Sequence, residues 1–369
     1  MGCGPGGRDS GSARARPAQR PMWRAESRII REPMMHARPA ALVLAAVIVF
    51  APGILSARRA PDWRARIATI RDAFPGDMAV FAKHLPSGET LALDADTVYE
   101  TFSVIKVPVM AEVLRQAEAG RFSLDDRVPF RAEDARLPSG ILHVMQPGLQ
   151  PTVKDLLHLM IMISDNSATD MLADKVGREN VTKFMRQLGL TRTEIKYSDL
   201  DWDRRWLGFL DPAYRDASGD RTLTFPFDKY SGEAVSAAFR RVIYETEIFF
   251  GRSTAAEMGR VFELIARREL VSRPASDLMI AILKQQQVRN RIPRYLEDAV
   301  VAHKTGDGQP WIGNDAGIIW IKEAPVVLVV FTGRHRGTTA SLHEAVARIA
   351  AIVVDRFGGA VDPAGLAAR

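Results

Sequence analysis

The sequence predicts an α/β chain of the α+β type, with an antiparallel sheet flanked by helices beside an all-helical lobe. Three observations lead there. Strand-like runs stand near the start of the chain, at 78–83 and 90–93. Others stand near its end, at 300–304, 316–321 and 326–332. Between them lie segments whose apolar residues recur at helical spacing. Strands early and late with helices between imply one sheet that joins both ends of the chain, and a separate helical layer.

The elements follow in order. Residues 63–74 carry Ile67, Ile70 and Phe74 on one side of a helix. The runs 78–83 and 90–93 form a hairpin across the turn Pro86-Ser87-Gly88. A helix begins near 102–105, because Pro108 is tolerated only in a first turn, where backbone N–H groups have no intrahelical partner. It runs to about Ala119, and Gly120 ends it. Thr152 opens the next helix as its N-cap, with Asp155 at the capping-box position and Leu156, Leu157, Met160 and Ile163 at core spacing. Further helices cover about 168–176 and 178–188. Ser253 or Thr254 caps one that runs to about Arg268, and another covers 275–286. The nearly continuous apolar run 326–332 suits a central strand, and 341–357 forms a closing amphipathic helix.

Composition bounds the function. The chain has 369 residues, 47% apolar and 25% charged, as expected of a globular protein. Its formal charge of +6 is concentrated at the start, where residues 1–38 hold eight arginines against Asp9, Glu26 and Glu32. The remainder is close to neutral and shows no basic-aromatic clustering, so no nucleic acid partner is expected. The single cysteine, Cys3, permits no intrachain disulfide. The seven histidines show no ligand spacing with Cys, Asp or Glu, so no metal or other cofactor is expected.

Residues 1–38 are rich in Gly, Arg, Pro and Ser and read as disordered, or as the product of too early a start, with Met34 or Met35 as the true one. Residues 39–57 have the anatomy of a secretory signal. A short basic region with His36 and Arg38 precedes an apolar run from Ala40 to Leu55, and the small residues Ser56 and Ala57 follow. Leu55 makes the cleavage signal imperfect, so an uncleaved membrane anchor stays open. Either way a periplasmic or secreted location is expected. The catalytic domain is expected over 62–357, with an insertion around 203–252 that contains a helix at 234–250 and with a flexible tail at 358–369. Nothing suggests an oligomer, and a monomer is expected.

The chemistry gathers at Thr101-Phe102-Ser103-Val104-Ile105-Lys106. Ser103 and Lys106 are three apart, one helical turn on one face. A serine hydroxyl is a poor nucleophile until a neighbouring base takes its proton, and a lysine with a lowered pKa is such a base. By itself Ser103 would read as a helix N-cap and Lys106 as a surface lysine. Two more tripeptides change that reading: Ser164-Asp165-Asn166 after an apolar helix, and Lys304-Thr305-Gly306 before a strand. Together and in this order they form the Ser-x-x-Lys, Ser-Asp-Asn, Lys-Thr-Gly set of the class A serine β-lactamases and penicillin-binding proteins. From about Asp62 to about Phe357 the chain resembles a class A β-lactamase.

The resemblance implies a serine β-lactamase/transpeptidase-like fold with the active site between its lobes. It implies Ser103 as the acylated nucleophile, Lys106 as its base partner and Ser164 as the proton relay to the leaving nitrogen. Asn166 would hold the substrate amide, and Asp165 would anchor its turn. Lys304 would attract the substrate carboxylate and Thr305 would donate to it. Gly306 removes a Cβ from the strand's approach to the ligand. The backbone N–H groups of Ser103 and Asp307 would form the oxyanion hole. His303 reads as packing.

The pattern breaks in two places. The family's Glu-x-x-Leu-Asn, whose Glu activates the deacylating water, is absent, and Tyr197-Ser198-Asp199-Leu200-Asp201-Trp202-Asp203 stands in that region. Asp199 or Asp201 could substitute, one methylene shorter. The usual arginine on the strand after Lys-Thr-Gly is also missing, and Arg334 or Arg336 is the guess for a second carboxylate contact. The leading expectation is an exported serine hydrolase that opens the β-lactam amide, an antibiotic-resistance activity. A D,D-peptidase of the penicillin-binding type acting on peptidoglycan peptides is the alternative. A non-catalytic wall-binding or β-lactam-sensing protein is a third.

Overall fold

The computed structural model describes residues 62–367. The readings made above for residues 1–38 and 39–57 lie outside the described residues. Among the described residues no helix is long and apolar enough to cross a membrane.

The chain opens with α1 (Trp63–Ala73), β1 (Asp77–His84) and β2 (Thr90–Leu93), the two strands forming a hairpin with Val80 opposite Leu93. A short strand, β3 (Val98–Glu100), leads into a 3-10 turn at Phe102–Ile105 and then α2 (Lys106–Glu118). The expected helix is therefore present, but Ser103 lies in the 3-10 turn and Lys106 is the first residue of the α-helix. α2 ends as the sequence suggested. Gly120 takes φ +74°, and the N–H groups of Gly120 and Arg121 bond back to the carbonyls of Ala117 and Gln116.

Three helices follow: α3 (Val153–Met162), α4 (Asn166–Val176) and α5 (Arg178–Gln187). The Thr152 and Asp155 capping box is formed in full. With α2 and the later α10 these helices make the helical lobe. α2 is its axis, buried on nearly every side from Val107 to Leu114.

After β4 (Glu194–Ile195) comes a helix to which the sequence reading gave no element, α6 (Asp199–Leu210). Its capping box is Ser198 with Asp201, and its buried Trp202, Trp206 and Leu207 are spaced for one helical face. α7 (Gly219–Leu223) and α8 (Gly232–Glu245) complete the inserted segment. α8 stops five residues before the expected 250. The backbone is extended at Thr246, and Phe249 and Phe250 are buried in the fold. β5 (Gly251–Thr254) then pairs with both β3 and β4 in a three-stranded sheet.

α9 (Ala255–Arg267), capped by Thr254, and α10 (Arg273–Leu283) lead to β6 (Val300–Gly308), β7 (Ile312–Ile321), β8 (Ala324–Gly333) and the closing α11 (Thr339–Arg356). The main sheet is antiparallel in the order β2-β1-β8-β7-β6, so the first hairpin and the last three strands share it. β8 is central, and its apolar run serves two cores. Val327, Val329 and Phe331 join the core shared with the helical lobe, while Val326, Leu328 and Val330 join the core under α1 and α11. A strand's side chains alternate between faces, which is why this run has no polar positions. The stretch expected to be a flexible tail is laid against the fold as far as residue 367. Val361 bridges to Leu296, and Leu366 packs beside Tyr295, Ala347 and Ala351.

Candidate active site

A cleft of about 370 Å³ opens where the 3-10 turn before α2, the turn between α3 and α4, the first turns of α6 and the end of β6 converge. Ser103, Ser164, Asn166, Thr305 and Asp307 all line it. Lys106 and Lys304 are fully buried directly behind them.

Ser164 is the meeting point. Lys106 Nζ donates to its Oγ (3.2 Å) and to its carbonyl oxygen (2.8 Å), and also to Asn166 Oδ1 (2.7 Å). From the other side Lys304 Nζ donates to the same Oγ (3.0 Å) and to the Thr305 carbonyl (2.7 Å). Burial lowers the pKa of Lys106, against the attraction of Asp199, Asp165 and Asp170. Burial also takes Lys304 well below its ordinary value, and the nearby Lys106 charge adds to that. Two buried amines around one hydroxyl favour giving up a proton between them.

The backbone here is built for the task. Ser164 has φ +60° and Phe102 φ +46°, left-handed conformations that non-glycine residues seldom adopt. Asp165 holds the first of these turns. Its carboxylate accepts from the N–H groups of Ile141 and Leu142 (2.7 and 2.9 Å) and from Ala168 at the start of α4 (2.9 Å). Ser139 Oγ donates to the Ser164 carbonyl (2.8 Å). Asn166 Nδ2 donates to the Leu137 carbonyl (3.0 Å), which leaves its second hydrogen for a ligand.

Gly306 lies behind the nucleophile segment. A Cβ there would stand 2.3 Å from the Thr101 carbonyl oxygen and 3.1 Å from the Ser103 nitrogen. Its closest approach is thus to the chain's own Thr101–Ser103 backbone, where the sequence pointed to a ligand. The neighbouring Asp307 is paired with Arg291, a guanidinium only 1% exposed, whose Nη2 reaches both carboxylate oxygens (2.7 and 2.8 Å). Burial opposes the charge on Asp307, yet Arg291 and Gln309 hold its carboxyl below the usual range. His303 is buried against Asp315, with Nδ1 and Oδ1 2.8 Å apart.

The guess of Arg334 or Arg336 as a carboxylate contact is corrected. Arg334 donates to Asp77 (2.8 Å) and lines a separate cavity with Tyr99 and Tyr244. Arg336 is exposed, and neither residue lines the cleft. Asn314 stands near the start of β7, where an arginine was sought, and is used inside the sheet, its Oδ1 accepting from the Thr332 N–H (2.8 Å).

Two carboxylates missing from the main motifs also face the cleft, Asp199 and Asp203. They lie four apart on α6, a spacing that puts both on one face of a helix. Asp199 Oδ2 is buried with no partner among the described residues. Burial raises the pKa of Asp199 well above the ordinary range, helped by the charge of Asp170 and opposed by Lys106. Burial raises Asp203 to about 7, although Trp206 donates to it. Asp201, the other candidate, is committed to the cap, accepting from Ser198 N and Oγ (3.0 and 2.8 Å). The start of α6 is fixed by Asp170, which accepts from the N–H groups of Asp199 and Leu200 (3.0 and 3.2 Å) while pairing with Arg136 and Arg178.

Comparison with known proteins agrees with this arrangement. A family model described as the beta-lactamase enzyme family matches residues 62–357. A β-lactamase of Streptomyces albus G is 27% identical over 304 residues, covering 80% of this chain and 85% of that protein. The β-lactamase L2 of Stenotrophomonas maltophilia is 28% identical over 277 residues, covering 71% and 80%. Among solved structures, a β-lactamase from Sphaerobacter thermophilus superposes with a TM-score of 0.65 at 24% identity, covering 80% of this chain and 97% of that one.

Proposed function

The chain belongs to the beta-lactamase enzyme family, with a serine hydrolase of class A type as its nearest description, and on that premise we propose that it opens the β-lactam amide through an acyl-Ser103 intermediate. The observation that carries this is Ser164 Oγ, held 3.2 Å from Lys106 Nζ and 3.0 Å from Lys304 Nζ at the edge of the cleft that Ser103 lines.

In the first half-reaction Ser103 Oγ attacks the lactam carbonyl carbon and gives its proton to the Lys106 and Ser164 pair. The developing oxyanion is held by the N–H groups of Ser103 and Asp307. The C–N bond then breaks, and Ser164 Oγ passes a proton to the leaving nitrogen, resupplied by its lysines. Thr305 holds the substrate carboxylate, with the buried Lys304 charge behind it. In the second half-reaction Asp199 takes a proton from water, the water oxygen attacks the ester carbon, and Ser103 Oγ leaves with its proton restored. Asp199 fits that role because its unpartnered buried oxygen belongs to the cleft lining.

Export is part of the proposal, supported by the apolar run from Ala40 to Leu55 ahead of the catalytic domain. The substrate would then be met outside the cytoplasm, with β-lactam resistance as the consequence. One observation favours the D,D-peptidase alternative: the carboxylate offered for deacylation is an aspartate, without the family's Glu-x-x-Leu-Asn. Turnover of benzylpenicillin separates the two. Sustained consumption that is lost in Ser103→Ala supports the hydrolase. A single stoichiometric burst without turnover supports the peptidase.

A further inference from the structure

We infer that the inserted segment selects the substrate, by closing one end of the cleft into an aromatic box for a neutral, aromatic acyl side chain and turning away side chains that carry a carboxylate. This rests on the hydrolase reading above and names the substrate class for it.

The cleft has two chemically distinct ends. Around Ser103 it is polar, with Ser164, Asn166 and Thr305. Toward α6 and the insertion its walls include Trp202 and Phe239, and Phe102 and Phe250 are also in the lining. Trp202 meets Phe102 edge-on at 5.4 Å and Phe239 at 5.9 Å. Phe239 comes from α8, inside the insertion, and its ring also stacks on Trp311 at 6.3 Å. Trp311 belongs to the turn between β6 and β7. α8 therefore reaches from α6 on one lip of the cleft to the β6–β7 turn on the other. Phe239 is the part of that bridge that faces inward. Its partly exposed ring is not needed to fill a core that is already closed by Trp206, Leu207 and Val242.

The direction of the substrate follows from the site. In a bicyclic β-lactam the carboxylate is attached on the leaving-nitrogen side, and the acyl substituent on the opposite side of the scissile carbonyl. With the carboxylate at Lys304 and Thr305 of β6, the acyl substituent is sent away from β6 and toward α6. There it meets the aromatic walls. Aromatic rings pack edge-on or offset against one another at these separations. A charge meets the opposite situation. A carboxylate on the acyl side chain would lose its water against these rings.

The test compares kcat/KM for three penicillins with one nucleus: benzylpenicillin, its analogue bearing a carboxylate on the benzylic carbon, and the nucleus with a free amine and no acyl group. Benzylpenicillin is expected to exceed each of the others by tenfold or more. Phe239→Ala is expected to lower the ratio of benzylpenicillin to the bare nucleus about tenfold, and Phe239→Tyr to keep it. Far-ultraviolet circular dichroism checks that both variants are folded. Equal efficiency toward all three substrates, or a ratio unmoved by Phe239→Ala, would overturn the box while leaving the hydrolase intact. No turnover and no acyl adduct with any of them would overturn the hydrolase reading, and this inference with it.

Discussion

In the proposed reaction, Asp199 is the residue on which turnover depends. Its carboxylate must be ionised to take a proton from water, and burial raises its pKa well above the ordinary range. The base form is lost as pH falls through that raised value, so deacylation is expected to slow on the acid side while acylation, carried by the lysines, does not follow the same curve. Single-turnover kinetics across pH separate the two steps. Asp199→Asn is expected to acylate at near the normal rate and to accumulate the acyl-enzyme, with deacylation reduced at least a hundredfold. Asp203 gives a separate, thermodynamic signal. Its folded pKa of about 7 stands above the ordinary 3.8, so between those values the folded chain keeps a proton that the unfolded chain releases. Stability is therefore lost as pH rises through that window, by about 4 kcal/mol in full. The urea stability of Asp203→Asn, measured against the wild type at pH 4 and pH 8, is expected to gain on it at the higher pH.

At this scale the sequence was most informative where chemistry demands a fixed spacing. Ser103, Lys106, Ser164, Asn166, Lys304 and Thr305 were all named from three short motifs, and the fold brings them to one cleft, with both lysines on Ser164. Asp199 was visible only as one of two candidates, because choosing between it and Asp201 requires knowing that Asp201 caps a helix. Arg334 could not be excluded from spacing alone, since its partner Asp77 lies 257 residues away. Trp202 and Phe239 carried no signal of a site, since nothing local distinguishes a core ring from one that also walls a cleft.

Among the elements, α6 and β6 carry the site, and each depends on one buried residue. Asp170 caps α6 through two backbone N–H groups and neutralises Arg136 and Arg178. Burial opposes its charge, yet the two guanidinium groups hold its pKa below the usual value. Asp170→Ala would leave Arg136 without a carboxylate and Arg178 with Asp174 alone, and free the start of the helix that bears Asp199. A loss of about 3–5 kcal/mol in unfolding free energy is expected, with a slower deacylation step. For β6, Gly306→Ala forces a Cβ against the Thr101 carbonyl. The strand must then withdraw from the nucleophile segment, and acylation by benzylpenicillin is expected to fall more than tenfold with the fold retained. The Gly in Lys-Thr-Gly was legible as a position that excludes a Cβ, but which backbone it approaches was not. α6 itself was missed because the segment was read only for the absent Glu-x-x-Leu-Asn, although the Ser198 and Asp201 pair and the tryptophan spacing were available signals.

For the whole molecule, the sheet order β2-β1-β8-β7-β6 brings the two ends of the catalytic domain together. β8 divides the interior into two cores, one under α1 and α11 and one shared with the helical lobe. The site lies where that second core meets the sheet's β6 edge, so its two lysines are buried by the packing of both layers. This architecture was legible because strand runs and helix periods alternate cleanly along the chain. The path of the insertion was not, since its aromatic contacts join α6, α8 and the β6–β7 turn across more than a hundred residues. The central claim is an ester on Ser103 that Asp199 clears. Intact-protein mass followed over time after adding benzylpenicillin tests it most directly, on the wild type, Asp199→Asn and Ser103→Ala. The expected result is a transient adduct of one intact penicillin on the wild type, a lasting one on Asp199→Asn and none on Ser103→Ala. An adduct on Ser103→Ala, or one that clears equally fast in Asp199→Asn, would contradict it.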